Sequence, residues 1–269
     1  MDEITDDFNP TQDRILTESE IQKLQMQDTR LVSDFQANKL EIEAKKHWDL
    51  FYKRNENRFF KDRHWVTREF FELAELSDEK RVLLEIGCGV GNFIFPLIED
   101  NINFFVYACD LSSKAIDLVK SNKLYDETRV IAFQTDITTE HILSVVALNS
   151  VDIVSLIFVL SAIHPEKFTA TVSNIYKVLK PGGIVLFRDY ALYDLAQIRF
   201  KPGHKIAENF YMRQDGTRSY YFSRDKLAEI FTNCGFEVIF NNYVQRRTVN
   251  AKEGIDMERL FIQAKFKKT

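Results

Sequence analysis

The feature that most constrains the fold is an alternation that begins at Arg81. Short apolar runs at Val82–Ile86, Phe104–Ala108, Val130–Phe133, Val151–Phe158 and Ile184–Phe187 read as strands. Between them, Phe93–Glu99, Lys114–Lys120, Ile142–Ala147 and Phe168–Leu179 carry helical patterns. Strands that are apolar throughout need cover on both faces, and helical crossovers supply it when the strands run parallel. The expected fold class is therefore α/β. Lys180-Pro181-Gly182-Gly183 predicts a sharp turn into the fifth strand. After an irregular region, Lys226–Asn233 reads as a helix. Phe236–Val244 and Arg259–Lys267 read as a closing antiparallel pair. There is no internal repeat.

Upstream, residues 1–13 lack periodicity and are expected to be mobile. Thr17-Glu18-Ser19-Glu20 has the spacing of a capping box and opens a short helix. A longer helix is expected from Val32 to Arg54, with Phe35, Leu40, Ala44, Trp48, Phe51 and Tyr52 on one face. A second aromatic cluster follows: Phe59, Phe60, His64, Trp65, Phe70 and Phe71. The expected division is a mobile segment and short helix over 1–30, a helical aromatic and basic arm over 31–75, and a catalytic domain over 76–269.

Composition excludes several classes. With 45% hydrophobic and 28% charged residues the chain is neither disordered nor fibrous, and its 23 Phe imply an aromatic-rich core. The longest apolar stretch, Val151 to Ile163, is interrupted by Asp152, Ser155 and Ser161, so no membrane span is expected. The opening MDEITDDFNP is acidic, unlike a secretory signal or an Arg-rich transit peptide. Cys88, Cys109 and Cys234 form no CxxC pair, which suits a reducing compartment, cytosol or nucleus, and suggests no metal site.

The net charge of −4 conceals an asymmetry. Residues 44–72, 188–226 and 246–269 are basic, at +3, +3 and +4, on an otherwise acidic body. Either these segments cluster by chance on solvated surfaces, or they meet in space around a polyanion.

Glu85-Ile86-Gly87-Cys88-Gly89-Val90-Gly91 follows the first strand and opens a helix. A glycine-rich turn there lets the backbone approach a ligand at the carboxyl edge of the sheet. The third glycine comes one residue earlier than in the G-x-G-x-x-G dinucleotide pattern. Asp110, ending the second strand, can accept from both hydroxyls of a ribose. Asp136, ending the third, can accept from an adenine amino group, with Ile137 beside the ring and Ile157 packing on the cofactor. Acidic residues at two successive strand ends make this combination resemble the class I S-adenosylmethionine-dependent methyltransferases over roughly Arg81 to Phe266. That resemblance implies a Rossmann-like seven-stranded sheet with a reversed last strand.

The segment Phe158–Pro165 lacks the D/N-P-P-Y/F motif of enzymes that methylate the exocyclic amine of adenine. His164 there reads as a helix-entry residue ahead of Pro165, with a general base as the weaker reading. Two further segments, Trp48–Trp65 and Phe187–Phe222, mix aromatic and basic residues, as recognition of unpaired RNA bases requires. Core aromatics with exposed basic neighbours would look the same. Together with L-E-x-G-C-G-V-G-N, A-C-D-x-S and I-F-V-L-S-A-x-H-P, these segments closely resemble the eukaryotic tRNA 3-methylcytidine methyltransferases, from Arg14 onward. The likeness is greatest to the short branch called methyltransferase-like protein six.

That resemblance implies 3-methylcytidine formation at position thirty-two of the anticodon loop, in serine tRNA, with seryl-tRNA synthetase as a partner. No DNA or membrane partner is implied. It places Trp48 and Tyr52 over S-adenosylmethionine, joining Gly87, Asp110, Asp136, Ile137 and Ile157. The nucleophile would be ring nitrogen 3 of cytosine, whose free lone pair needs no general base. Phe60 and Tyr190 are expected to stack on the target base, and Asp189 to stabilise the cationic product and help reject uracil. Arg54, Lys61, Arg63, Arg213 and Arg218 are the expected RNA contacts. Alternatives are a small-molecule or protein methyltransferase with the same cofactor half, or a non-catalytic RNA-binding scaffold.

Overall fold

The computed structural model describes residues 9–74, 80–100, 102–250 and 255–269. Five helices lead the chain: α1 (Glu18–Asp28), α2 (Asp34–Ile42), α3 (Ala44–Asn55), α4 (Val66–Glu69) and α5 (Phe71–Ala74). Then come β1 (Arg81–Ile86), α6 (Ile94–Glu99), β2 (Phe104–Asp110), α7 (Ser113–Lys120), β3 (Val130–Gln134), β4 (Val151–Ile157), α8 (Phe168–Val178) and β5 (Leu179–Tyr190). A short α9 (Leu195–Ile198) precedes β6 (Lys205–Ala207), β7 (Phe210–Met212) and β8 (Arg218–Tyr220). The chain closes with α10 (Arg224–Thr232), β9 (Phe236–Asn250) and β10 (Ile255–Lys268).

The main sheet has the order β3-β2-β1-β4-β5-β10-β9. Strands β1 to β5 pair in parallel, and β10 runs antiparallel to both β5 and β9. This is the expected seven-stranded sheet with its last strand reversed. Side chains of a strand alternate between faces. Leu84, Val154, Leu156, Val185 and Phe187 accordingly enter one core with α8 and α10. Leu83, Ile153, Ile157 and Leu186 enter a second, on the other face, with α4 to α7. Hence the strands read as continuously apolar.

Several expectations need correction. The predicted single helix over 32–54 breaks at Glu43 into α2 and α3, and Phe35 is 79% exposed rather than part of a buried stripe. Ile142–Ala147 is not an α-helix; a 3₁₀ turn covers Glu140–Ser144. The irregular region holds a small antiparallel sheet, β6-β7-β8, whose strands of three residues are too short to show a pattern. Residues 9–13, expected to be mobile, are tied to the last strands. Tyr243 N–H donates to the Pro10 carbonyl (2.9 Å), and the Tyr243 hydroxyl donates to Asp13 (2.5 Å). Residues 1–8 lie outside the described part of the chain. The Thr17 capping box is formed: Glu20 accepts from Thr17 N–H at 2.9 Å and donates its own N–H to the Thr17 hydroxyl at 3.3 Å. Among the described residues, no helix is long and apolar enough to cross a membrane.

Candidate active site

The carboxyl ends of β1 to β4 meet at one edge, on either side of the point where strand order reverses between β1 and β4. Gly87 and Gly89 after β1 have φ of +66° and +55°, which glycine adopts without strain. A Cβ on Gly87 would lie 2.4 Å from Val159, and one on Gly89 would lie 2.8 Å from the Tyr52 hydroxyl. The loop is a cradle with no room for side chains. Asp110 holds it: one carboxylate oxygen accepts from Gly89 N–H (2.9 Å), the other from Ser112 N–H (2.8 Å). Burial pushes the Asp110 pKa up to about 6, against the pull of those two donors.

Two cavities open from this edge. The larger, about 200 Å³, is walled by Gly87, Asp110, Asp136 and Ile137 on one side and by Trp48 and Tyr52 on the other. Asp136 accepts from Thr138 N–H (2.9 Å), and Asn174 of α8 donates to the Ile137 and Thr139 carbonyls, which sets this turn. The smaller, about 40 Å³, lies among Phe60, Arg63, Glu85, Asn92, Ile157 and Phe158, and shares Trp48, Tyr52 and Gly87 with the first. Glu85 is 3% exposed, and burial pushes its pKa up to about 8; one of its oxygens has no hydrogen bond. Arg63 faces it, and its guanidinium donates a long hydrogen bond to the Ile157 carbonyl (3.4 Å). Phe158, between the cavities, has φ +59°, a strained conformation for a phenylalanine.

The arm closes over both cavities. Trp48 and Tyr52, one helical turn apart on α3, stack at 6.1 Å and pack with Phe51 and Phe60 against Val90 and Ala115. Asp49, on the same helix, accepts from the Ser112 hydroxyl (2.6 Å) and Lys114 N–H (3.3 Å), so it caps α7 from outside. Glu41 of α2 pairs with both Lys167 and Arg218 across the mouth of the larger cavity. Loop 60–63 is stitched to Asn92, which donates to Asp62 (2.9 Å) and accepts Arg63 N–H on its carbonyl (2.8 Å).

A separate groove of about 830 Å³ lies among Arg54, Arg199, Phe200, Lys201, His204, Arg213 and Asp215. Two of the three basic segments therefore meet in space. In the third, Arg246 pairs with Glu69 and Arg259 with Asp194 instead. Arg213 stands 4.9 Å over the Tyr190 ring, and Tyr190 lies 5.1 Å from Phe158. An aromatic and basic track thus joins the groove to the cofactor edge.

Four of the expected site residues are placed otherwise than the sequence suggests. Asp189 is fully buried and borders neither cavity. Its oxygens accept from Ser161 N–H and Tyr190 N–H, both at 2.9 Å, and burial pushes its pKa up to about 6. Nor does it pair with Arg188, which is bound to Glu69 (2.6 Å). Arg218 is 6% exposed and engaged with Glu41, so it does not face a phosphate backbone. Arg63 points into the small cavity rather than outward. Lys61 is exposed but borders none of these hollows. His164 is a helix-entry residue: its ring accepts from Glu166 N–H (3.4 Å). Glu85 stands in the glycine motif, and nothing in the sequence gives it a role of its own. Glu41 and Asp49 were given no role, because Lys167, Arg218, Ser112 and Lys114 reach them only in the fold, nor were Arg199 and Lys201, which join Arg54 only around the groove.

The seven-stranded sheet with its glycine cradle and strand-end carboxylates defines a class I S-adenosylmethionine-dependent methyltransferase. A family model described as "Methyltransferase domain" matches residues 37–240. The fold agrees with an Anabaena variabilis S-adenosylmethionine-dependent methyltransferase, at a TM-score of 0.62 and 12% identity, covering 84% of this chain and 95% of that one. A glycopeptide N-methyltransferase solved with S-adenosylmethionine aligns at 0.53 and 15% identity, covering 82% and 96%. Among curated relatives, the human tRNA N(3)-cytidine methyltransferase METTL6 is 58% identical over 260 residues, 96% of this chain and 91% of its own. The Schizosaccharomyces pombe tRNA N(3)-methylcytidine methyltransferase trm141 is 44% identical over 241 residues, 88% and 97%. The chain belongs to the tRNA N(3)-cytidine methyltransferase family.

Its cofactor is S-adenosylmethionine, and the site fits that molecule. The cradle leaves no room for a Cβ at Gly87 or Gly89, and one oxygen of the buried Glu85 carboxyl has no hydrogen bond, where a cation could sit.

Proposed function

We propose that this S-adenosylmethionine-dependent tRNA N(3)-cytidine methyltransferase acts on cytidine thirty-two in the anticodon loop of serine tRNA, with seryl-tRNA synthetase as a partner, in the cytosol or nucleus. The observation that carries the tRNA reading is the track from the basic groove through Arg213, Tyr190 and Phe158 to the cofactor cavities. A small-molecule enzyme needs no such groove. The choice of position and isoacceptor is supported by the sequence likeness to the serine branch.

When bound, the cofactor supplies an electrophilic methyl on a sulfonium. Asp110 would hold its ribose, and Asp136 with Ile137 its adenine, in the larger cavity. Glu85 and Arg63 would take the ammonium and carboxylate of its amino-acid end in the smaller one. Trp48 and Tyr52 cover both and keep water out. Ring nitrogen 3 of cytosine lies on the pairing edge, so the base must turn out of its stack. Phe60 and Phe158 offer it ring faces beside the methyl site, with Tyr190 behind. No proton needs removing, so catalysis is positioning and desolvation. Asp189 acts at one remove, by fixing Ser161 and Tyr190.

The test is methylation of transcribed serine tRNA carrying cytidine or uridine at position thirty-two, with and without the synthetase. Sequencing of tRNA from cells lacking the protein accompanies it. Methylation confined to cytidine thirty-two, and its loss in the cells, is expected. Equal methylation of all cytidine-bearing tRNAs, synthetase present, would overturn the serine reading.

A further inference from the structure

Gln27 is the one side chain of α1 that is wholly buried, and it makes no contact with the cofactor cavities. Its amide nitrogen faces the carbonyls of Gln197 (2.9 Å), Phe200 (3.1 Å) and Ile198 (3.4 Å). Its amide oxygen accepts from the Tyr211 hydroxyl at 2.9 Å. Helix α9 is a single turn, and the last carbonyls of a helix have no partner within it. An amide with two donors, arriving from 170 residues earlier in the chain, supplies what α9 cannot. The neighbouring residues continue the pattern. Arg30 donates to the Pro202 carbonyl (2.9 Å), its own carbonyl accepts from Gly203 N–H (2.5 Å), and Val32 N–H donates to the Lys205 carbonyl (2.8 Å). The polar backbone of turn 197–205 is thus bound to the α1 side. The exposed side chains of Arg199 and Lys201 line the basic groove on the other.

We infer that Gln27 is a positioning residue for RNA binding, which caps α9 from within the molecule and so fixes the turn that presents Arg199 and Lys201. This rests on reading the groove as the RNA surface. A carboxylate of α1 could not do the same, because it has no donors for three carbonyls.

The test uses the full chain and two variants, Gln27→Met, which keeps the volume and removes the donors, and Arg199→Ala with Lys201→Ala. Each is assayed for KM and kcat with tRNA, for cofactor affinity by calorimetry, and for salt dependence of tRNA binding. A residue that merely holds the fold together would, when lost, lower kcat and cofactor affinity along with tRNA affinity. The inference expects Gln27→Met to raise KM for tRNA about tenfold, with kcat and cofactor affinity within about twofold of wild type. The log–log salt slope should flatten by about one or more, as when a phosphate contact is lost. Amide exchange over 199–204 should quicken. A wild-type KM for Gln27→Met, while the double variant raises it, overturns the inference and leaves the groove reading standing. A wild-type KM for the double variant overturns the groove reading, and this inference with it. If Gln27→Met does not fold, Arg30→Ala decides: it removes one exposed tether to the same turn. A rise in KM of about threefold supports the inference and a wild-type KM overturns it.

Discussion

At the scale of single residues, two buried carboxyls lead to different expectations, Glu85 in the wall of the smaller cavity and Asp189 beneath the turn at Ser161. Glu85, pushed up to about 8, is largely protonated in the free protein at pH 7. If it receives the cofactor's ammonium, it must ionise on binding. We expect cofactor binding at pH 7 to release close to one proton, read from calorimetry in buffers of different ionisation enthalpy. Affinity should rise from about pH 6 towards pH 8. Glu85→Gln should abolish the release and weaken binding about tenfold or more, on the order of 1.4 kcal/mol. Binding without proton uptake or release in the wild type would remove Glu85 from this role. Asp189 leads to a different expectation. It accepts two backbone N–H groups in a fully buried position. Asparagine presents an N–H₂ where one of those donors points, leaving it unsatisfied. Asp189→Asn should therefore cost about 1–3 kcal/mol of stability by urea titration, with turnover falling through the displaced Ser161 turn and Tyr190. An unchanged urea midpoint would contradict this.

At the scale of elements, the arm lies over both cavities and is held from three sides. Aromatic packing of Trp48 and Tyr52 makes the contact, Glu41 bridges the mouth, and Asp49 anchors α3 to the start of α7. Asp49 is the cleanest test, because its side chain is partly exposed and borders neither cavity. Asp49→Ala should lose a cap worth about 1 kcal/mol and speed S-adenosylhomocysteine dissociation about fivefold in stopped flow, without altering the far cores. An unchanged off-rate would mean that the aromatic contacts alone hold the arm in place. Deleting residues 1–55 would be a poor test. It would also strip Gln27 from α9 and uncover Tyr211, which is 1% exposed.

For the whole molecule, the buried acids predict how the free protein responds to pH. A carboxyl whose folded pKa lies above its unfolded value holds its proton more tightly when folded. The native state then loses stability as pH rises from the unfolded value through the folded one. For Asp110 and Asp189 that window runs from an ordinary value of 3.8 to about 6, and for Glu85 from 4.5 to about 8. The Tm of the cofactor-free protein should fall between pH 5 and pH 8, and Glu85→Gln should flatten the upper half of that fall. A Tm that rises across this range in the wild type would contradict the assignment.

Much of this protein was legible along the chain. The five parallel strands, the glycine cradle at 87–91 and the carboxylates Asp110 and Asp136 depend on local patterns and on where strands end, which sequence alone determines. The capping box at Thr17 and the helix-entry role of His164 were local for the same reason. Charge partners were not legible. Arg218 had the composition of an RNA contact, yet Glu41, 177 residues away, claims it. Asp189 sat at the productive edge of the sheet by strand position, but the turn at Ser161 folds over it and donates to one oxygen, while Tyr190 N–H donates to the other. Arg63 and Glu85, far apart in sequence, face one small cavity only because loop 60–63 is tied down by Asn92. Periodicity and turn chemistry act over a few residues and can be read from one segment. Which buried charge meets which partner depends on packing between segments, so only the tertiary structure decides it.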